Sequence, residues 1–328
     1  KLAGDFSFGA LGAQSDGSRA GLAGTLSVDI GGVVTDGHID SNDSTPMTDA
    51  VLAGTLSAPD ANGHGTMTLT ATISGGNRTL HFAYYIVTAD RIFIASTDTG
   101  FYVSGFMTRK VGTFSNTSLV NPSILNLWGA TPVFTPKTVI SLGRFSGANP
   151  TAGTIDLLLD TANLGVNTYA QVISGVSYAV RADGRTTMSY TSAGTTRSFV
   201  LYLTGPASGY LVESGSASGN AGLIEAQAPG PFSTSVPGLF VSGLQYPQAE
   251  APIVLMPAVQ MSGGSFTAAY ANGYFSMDSV TGRGVGALTI SGIGVGTYTF
   301  YIVRPDKVLA LRMSTPFTSA GLSWLTND

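Results

Sequence analysis

The sequence predicts an all-β protein of three tandem antiparallel meander domains, each a small up-and-down β-barrel, with β-sandwiches as the alternative. Three observations predict it. A glycine-spaced hairpin turn recurs three times, a tyrosine-bearing hairpin follows each copy, and no segment combines helical periodicity with capping residues.

The turn copies are GTLSAPDANGHG from Gly54, GVSYAVRADGRT from Gly175 and GYFSMDSVTGRG from Gly273. In each, the first glycine and the turn glycine (Gly63, Gly184, Gly282) stand nine residues apart. Asn62 and Asp183 precede two of the turn glycines, and Thr281 the third. Asn-Gly and Asp-Gly favour tight hairpins because both residues tolerate positive φ. The strands TMTLTATI, TTMSYTSA and GALTISGI follow, then the hairpins FAYYIVTADRIFIAS, FVLYLTGPASGYLVES and TFYIVRPDKVLALR. Tyr85, Tyr202 and Tyr301 hold the same place in these hairpins. The interval between copies is domain-sized, unlike the roughly 20–50 residues of a solenoid repeat.

Domain one is assigned to residues 1–112. Its strands are read at 5–8, 22–30, 33–39, 51–57, 66–73, 80–88, 92–96 and 102–108, from alternation between turn residues. Residues 40–49 read as a polar loop. Domain two, residues 113–230, repeats the rhythm with strands at 124–128, 139–145, 154–159, 170–180, 186–191, 197–204, 210–213 and 222–226. Domain three, residues 231–328, is shortened. The stretch from Gly264 to Gly273 is far shorter than its counterparts, so part of the second and third strands is expected to be missing. The segment from Gly238 to Ser262 is expected to contribute a strand in compensation. Eight strands joined by tight turns close into a barrel because closure removes exposed edges.

The linkers Thr113-Phe114-Ser115-Asn116-Thr117 and Pro231-Phe232-Ser233-Thr234-Ser235 match each other. Phe114 and Phe232 are therefore expected to plug between adjacent domains. The hairpin strands are apolar on both faces, with Phe82, Tyr84 and Ile86 opposing Ala83, Tyr85 and Val87. An antiparallel sheet with one solvated face alternates with polar residues. Tyr85, Tyr202 and Tyr301 are accordingly candidates for assembly or inter-domain contact.

Composition narrows the function. Charged residues make up 10% of the chain, against about 25% in an ordinary soluble protein. Such a bland surface suits burial in an assembly. The net charge of −4 comes without a basic block, which argues against nucleic acid. Cysteine is absent, which excludes disulfides and thiolate chemistry. No apolar run reaches the ~18 residues of a membrane helix. No signal peptide is visible, so a leader, if the protein is exported, is expected to have been removed before Lys1.

No cofactor, metal site or catalytic residue is assigned. His38, His64 and His81 lack metal-ligand spacing. Asp36, Asp40, Asn42 and Asp43 form the densest oxygen cluster and read as a solvated loop with Asx turns. Glu213, Glu225 and Glu250 are the only glutamates, and none has an evident partner for glycoside hydrolysis. Tyr84, Tyr85, Trp128, Tyr202, Tyr301 and Trp324 could stack on sugar but recur at core-like positions.

The patterns LAGDFSF, GTLSVDIGGVVTDGHIDSND, GTLS-x5-G-x-GT, YYIVTADRIFIASTD and the PFS linker resemble tandem β-repeat exported proteins of unknown function encoded in many copies by acidobacteria. The rhythm also loosely resembles avidin- or lipocalin-like eight-stranded barrels. The resemblance implies an extracellular or cell-surface location and transfers no active residue. The expected function is a non-enzymatic extracellular structural protein. Its copies would self-associate into a surface filament or layer, by strand addition at the edge of an incomplete third domain. The alternative is an adhesin-like barrel that binds a small ligand or glycan, and a secreted glycoside hydrolase ranks last.

Overall fold

Alternation and turn chemistry set every strand. The structure, a computed structural model, describes residues 2–131, 137–163, 166–192, 194–215, 220–245, 254–268, 271–290, 294–313 and 321–326. Domain one holds β1 (Gly4–Gln14), β2 (Arg19–Val28), β3 (Val33–Ser41), β4 (Ala50–Leu56), β5 (His64–Ile73), β6 (Gly76–Thr88), β7 (Arg91–Ser96) and β8 (Phe101–Arg109). The second unit holds β9 (Ser123–Thr131), β10 (Lys137–Asn149), β11 (Thr154–Asn163), β12 (Val166–Val180), β13 (Arg185–Ser192), β14 (Thr195–Gly205), β15 (Ser208–Ser214) and β16 (Ala221–Ala226). The third holds β17 (Val236–Gln245), β18 (Val254–Ser262), β19 (Ser265–Ala268), β20 (Ala271–Met277), β21 (Arg283–Ile290), β22 (Gly294–Arg304), β23 (Lys307–Arg312) and β24 (Gly321–Thr326). Each set of eight is an antiparallel meander closed by pairing of its first and last strands, so the domains are barrels and not sandwiches.

Domain three is shortened as expected and compensated from the segment before Ser262, but the open edge expected of it is not found among the described residues. Two strands, β17 and β18, arise before Ser262, and β19 shrinks to four residues. β19 still pairs with β18 and β20, so the ring closes without an unpaired edge strand. Strand addition thus finds no unpaired edge strand among the described residues.

The repeated turn explains the shared spacing. Gly63, Gly184 and Gly282 have φ of 77°, 91° and 68°, the region that glycine enters without a Cβ penalty. Each turn glycine's carbonyl accepts the amide of Ile86, Leu203 or Ile302, at 3.0 Å in every copy. Strand alternation then points Phe82 and Tyr84 inward while Tyr85 and Val87 face out.

The described side chains pack toward the lumens. Phe6, Phe8, Leu22, Leu26, Phe82 and Tyr84 fill the first. The second leaves a cavity of about 10 Å³ among Leu127, Leu157, Met188 and Phe199, about the space of one water. In the third, Phe275 packs against Phe266 and Phe300 at 4.6 and 5.3 Å between ring centroids. Internal storage of a small ligand finds no room among these described side chains.

Candidate functional site

Two matching clusters of buried charge lie where barrels meet. Asp40 lies one residue before the end of β3 on the first barrel and is 1% exposed. Arg185, at the start of β13 in the second barrel, reaches it with two parallel bonds. Nε donates to Oδ2 and Nη2 to Oδ1, both at 2.9 Å. The Tyr202 hydroxyl donates to Oδ2 at 2.6 Å, and the backbone N–H of Asp49 donates to Oδ1 at 3.1 Å.

The second junction repeats the first atom for atom. Asp160 in β11 is fully buried. Arg283 Nε donates to its Oδ2 at 2.7 Å and Nη2 to Oδ1 at 2.6 Å. The Tyr301 hydroxyl donates to Oδ2 at 2.7 Å, and the Ala170 N–H to Oδ1 at 2.8 Å. Asp49 and Ala170 share a φ of 48°, a left-handed conformation uncommon for a non-glycine residue. Both turns aim an amide at the carboxylate. Four donors converge on each aspartate, and a buried charge needs such compensation.

Burial, and then the neighbouring Asp40 and Asp160 charges, push the Tyr202 and Tyr301 hydroxyls above the usual phenol range. Both therefore stay protonated donors. The hydrogen bonds it donates to Asp160 hold the Arg283 guanidinium above its ordinary value.

Apolar contacts and main-chain bonds surround each lock. At the first junction Val200, Tyr202, Val212 and Ala221 pack on Ala23, with Leu11 and Tyr210 at the margin. At the second, Tyr301, Val303, Leu309 and Leu311 pack on Ile124, Ile140 and Leu142. The amide of Val111 donates to the Thr204 carbonyl at 2.8 Å, and Ala228 donates to Val303 in the same way at 2.7 Å. Lys307 bonds Glu225 across the second junction at 2.5 Å.

The five residues expected at contacts divide into three groups. Tyr202 and Tyr301 are fully buried at the junctions. Tyr85 is 48% exposed. Phe114 packs in the core of the second barrel, not between barrels. A Cβ on Gly184 would stand 3.0 Å from its ring, and Phe232 has the same relation to Gly282. These two linker phenylalanines cap the turn of the barrel they introduce, because the missing glycine side chain leaves a seat there.

Other readings of the sequence are revised. Asp40, Asn42 and Asp43 are buried, not solvated. Asn42 Nδ2 donates to the Asn220 carbonyl of the second barrel at 2.6 Å, and Asp43 receives Arg78 at 2.7 Å. Glu213 is buried with a bidentate partner, Arg197, at 2.8 and 2.9 Å. His38 contacts Asp49 at 2.9 Å and His81 contacts Asp98 at 2.6 Å. Among the described residues no group of three or more potential metal ligands assembles. Trp324 and Glu250 carry no described side chain. Arg185 and Arg283 were legible in principle, since both directly follow a turn glycine.

Two grooves open on the surface. One of about 420 Å³ lies beside Arg185, Thr187, Ser189 and Ser198 with Thr48 of the first barrel. The other, about 290 Å³, lies at the first junction between Phe106, Trp128 and Tyr210.

Comparison with known proteins places these features as follows. No protein-family model matches the chain, and no curated protein matches it. Among solved structures it is similar to a transferrin binding protein B double mutant from Haemophilus parasuis Hp5. That alignment has 9% identity and a TM-score of 0.24 over 100% of this chain and 76% of the other. It is also similar to intact Ap-TbpB with its N and C lobes, at 7% identity and a TM-score of 0.22 over 99% and 77% of the two chains. Scores this low carry no functional argument.

Proposed function

We propose that the chain is a non-enzymatic structural protein of the extracellular surface, a stiff side-by-side array of barrels that serves as a building unit of a larger assembly. The repeated aspartate–arginine–tyrosine lock carries this reading. An enzyme places perturbed groups around a cleft open to substrate. Here Tyr202, Tyr301, Arg185 and Arg283 are spent on holding one barrel against the next. The side chains packed toward the lumens and the low surface charge support the same reading.

Small-angle scattering and electron microscopy test it. The native chain should scatter as one rigid particle, and Asp40→Ala or Asp160→Ala should swell it. Micrographs of the protein at its native source should contain ordered filaments or layers. A native chain that already scatters as freely hinged barrels, or dispersed single particles at the source, overturns the proposal.

The groove beside Arg185 favours a second reading, a glycan-binding surface, because the hydroxyl residues Thr48, Thr187, Ser189 and Ser198 line it. A glycan array screened with the native chain and with Thr187→Ala tests that reading. Binding that Thr187→Ala abolishes would support it, and an empty array would remove it.

A further inference from the structure

The lock has three repeat positions but only two are engaged. Arg185 and Arg283 each follow the turn glycine, and Tyr202 and Tyr301 pair with them across the hairpin. In the first barrel these positions are His64 and Tyr85, likewise cross-strand partners. Their rings lie together, with centroids 4.8 Å apart. Tyr85 is 48% exposed where Tyr202 and Tyr301 are wholly covered. The surrounding apolar positions also recur. Val87 corresponds to Val303, and Phe93 corresponds to Tyr210 and Leu309. Val87 is exposed and Phe93 half-buried. Asp60 approaches His64 at 3.8 Å. Its acidic counterpart in the third turn, Asp278, does not prevent the lock there.

We infer that the His64–Tyr85 face of the first barrel is a docking surface for another barrel of this repeat class whose third strand carries an aspartate near its end. That carboxylate would take the Tyr85 hydroxyl and a ring N–H of His64. A connector amide would reach the Val87 carbonyl, as Val111 and Ala228 reach Thr204 and Val303. A second copy of this chain does not offer the required group. Asp40 and Asp160 are already saturated by four donors each. β19 of the third barrel ends at Ala268, and the sequence from Ser265 to Met277 contains no acidic residue. The inference deepens the structural reading, on which it rests, by giving the assembly a partner and a polarity.

The test presents such a barrel at high effective concentration. Residues 1–122 are fused ahead of Ala3 of the full chain, so that the added barrel offers its Asp40 and the natural connector. The added copy carries Tyr85→Phe, which leaves one Tyr85, and its nitration by tetranitromethane is read by peptide mass. Tethering should slow that nitration at least about tenfold relative to the native chain. Asp40→Ala in the added copy should restore it, and His64→Arg in the receiving barrel should deepen the protection. Protection of the added copy's buried Tyr84 reports that it has folded. A second fusion adds residues 1–235 with the same Tyr85→Phe change, and there the junction beyond Asp160 is open. Tyr85 reacting at the native rate in both fusions overturns the inference. If native assemblies are nonetheless seen by microscopy, the structural reading survives that failure. Protected Tyr85 with only dispersed native particles would spare the docking surface and remove the structural reading.

Discussion

Asp160 shows what a single residue does in this chain. It is fully buried, paired with a guanidinium and hydrogen-bonded by a phenol and an amide. Removing one partner of a buried pair strands the other, at a cost of about 3–5 kcal/mol. Asp160→Ala should therefore lower stability by about that amount in urea titrations. The triple change Asp160→Leu, Arg283→Met and Tyr301→Phe should cost far less, because it removes the charge together with its need for compensation. If the single and triple variants lose equally, the lock itself supplies net stability rather than register. The tyrosines add a pH dependence. Unfolded, Tyr202 and Tyr301 release their protons near the ordinary value of 10.0. Folded, burial and then the adjacent aspartates hold the protons to higher pH. Unfolding thus releases protons, so their stabilising contribution is complete below pH 10.0 and is lost as pH rises past it. Melting temperatures should fall steeply above that pH, and Tyr202→Phe with Tyr301→Phe should flatten the fall.

At the scale of strands, the pairing of β5 with β6 and its two counterparts trade volume at one point. Gly65 faces Tyr84, Thr186 faces Leu201 and Gly284 faces Phe300 across the ladder. A Cβ on Gly65 would come within 2.2 Å of the Tyr84 ring, and one on Gly284 within 2.0 Å of Phe300. Large rings are admitted only where the facing residue is glycine. Gly65→Thr should therefore destabilise by about 1–3 kcal/mol through overpacking. Adding Tyr84→Leu rebuilds the second barrel's pair and should recover most of that loss in thermal melts. Additive single effects would mean that the two sites do not share the space. This trade also marks what is legible in a sequence. The strands could be read because alternation and turn glycines are local signals, and the three barrels followed from their recurrence. The volume exchange needs the register, which a single sequence does not print.

For the whole molecule, legibility stopped at the junctions. Tyr85, Tyr202 and Tyr301 look alike in sequence, yet two are buried and one is exposed. Tyr202 and Tyr301 are covered by Asp40 and Asp160 of a neighbouring barrel, and no pattern local to the tyrosines encodes that. Asp40 was misread for a related reason. An aspartate in a polar stretch resembles solvent-facing loop until a guanidinium from another barrel covers it. Arg185 and Arg283 follow the turn glycine in two copies, but a repeated arginine identifies no partner until Asp40 and Asp160 are placed opposite. The truncation before Gly273 was visible, although its consequence differed. Instead of an open edge it left a closed barrel whose β19 stops before the position of the aspartate. Assembly through that end thus lacks the carboxylate on which the two internal junctions are built.

The depth of the two locks has one more consequence, for the ionic medium. Exposed charges are screened over a Debye length of about 8 Å at physiological salt, whereas buried pairs are screened much less. Asp40 and Asp160 are sealed beneath neighbouring barrels, and with 10% charged residues little else on the surface responds to ions. The array is thus built to keep its geometry across dilute and concentrated salt alike.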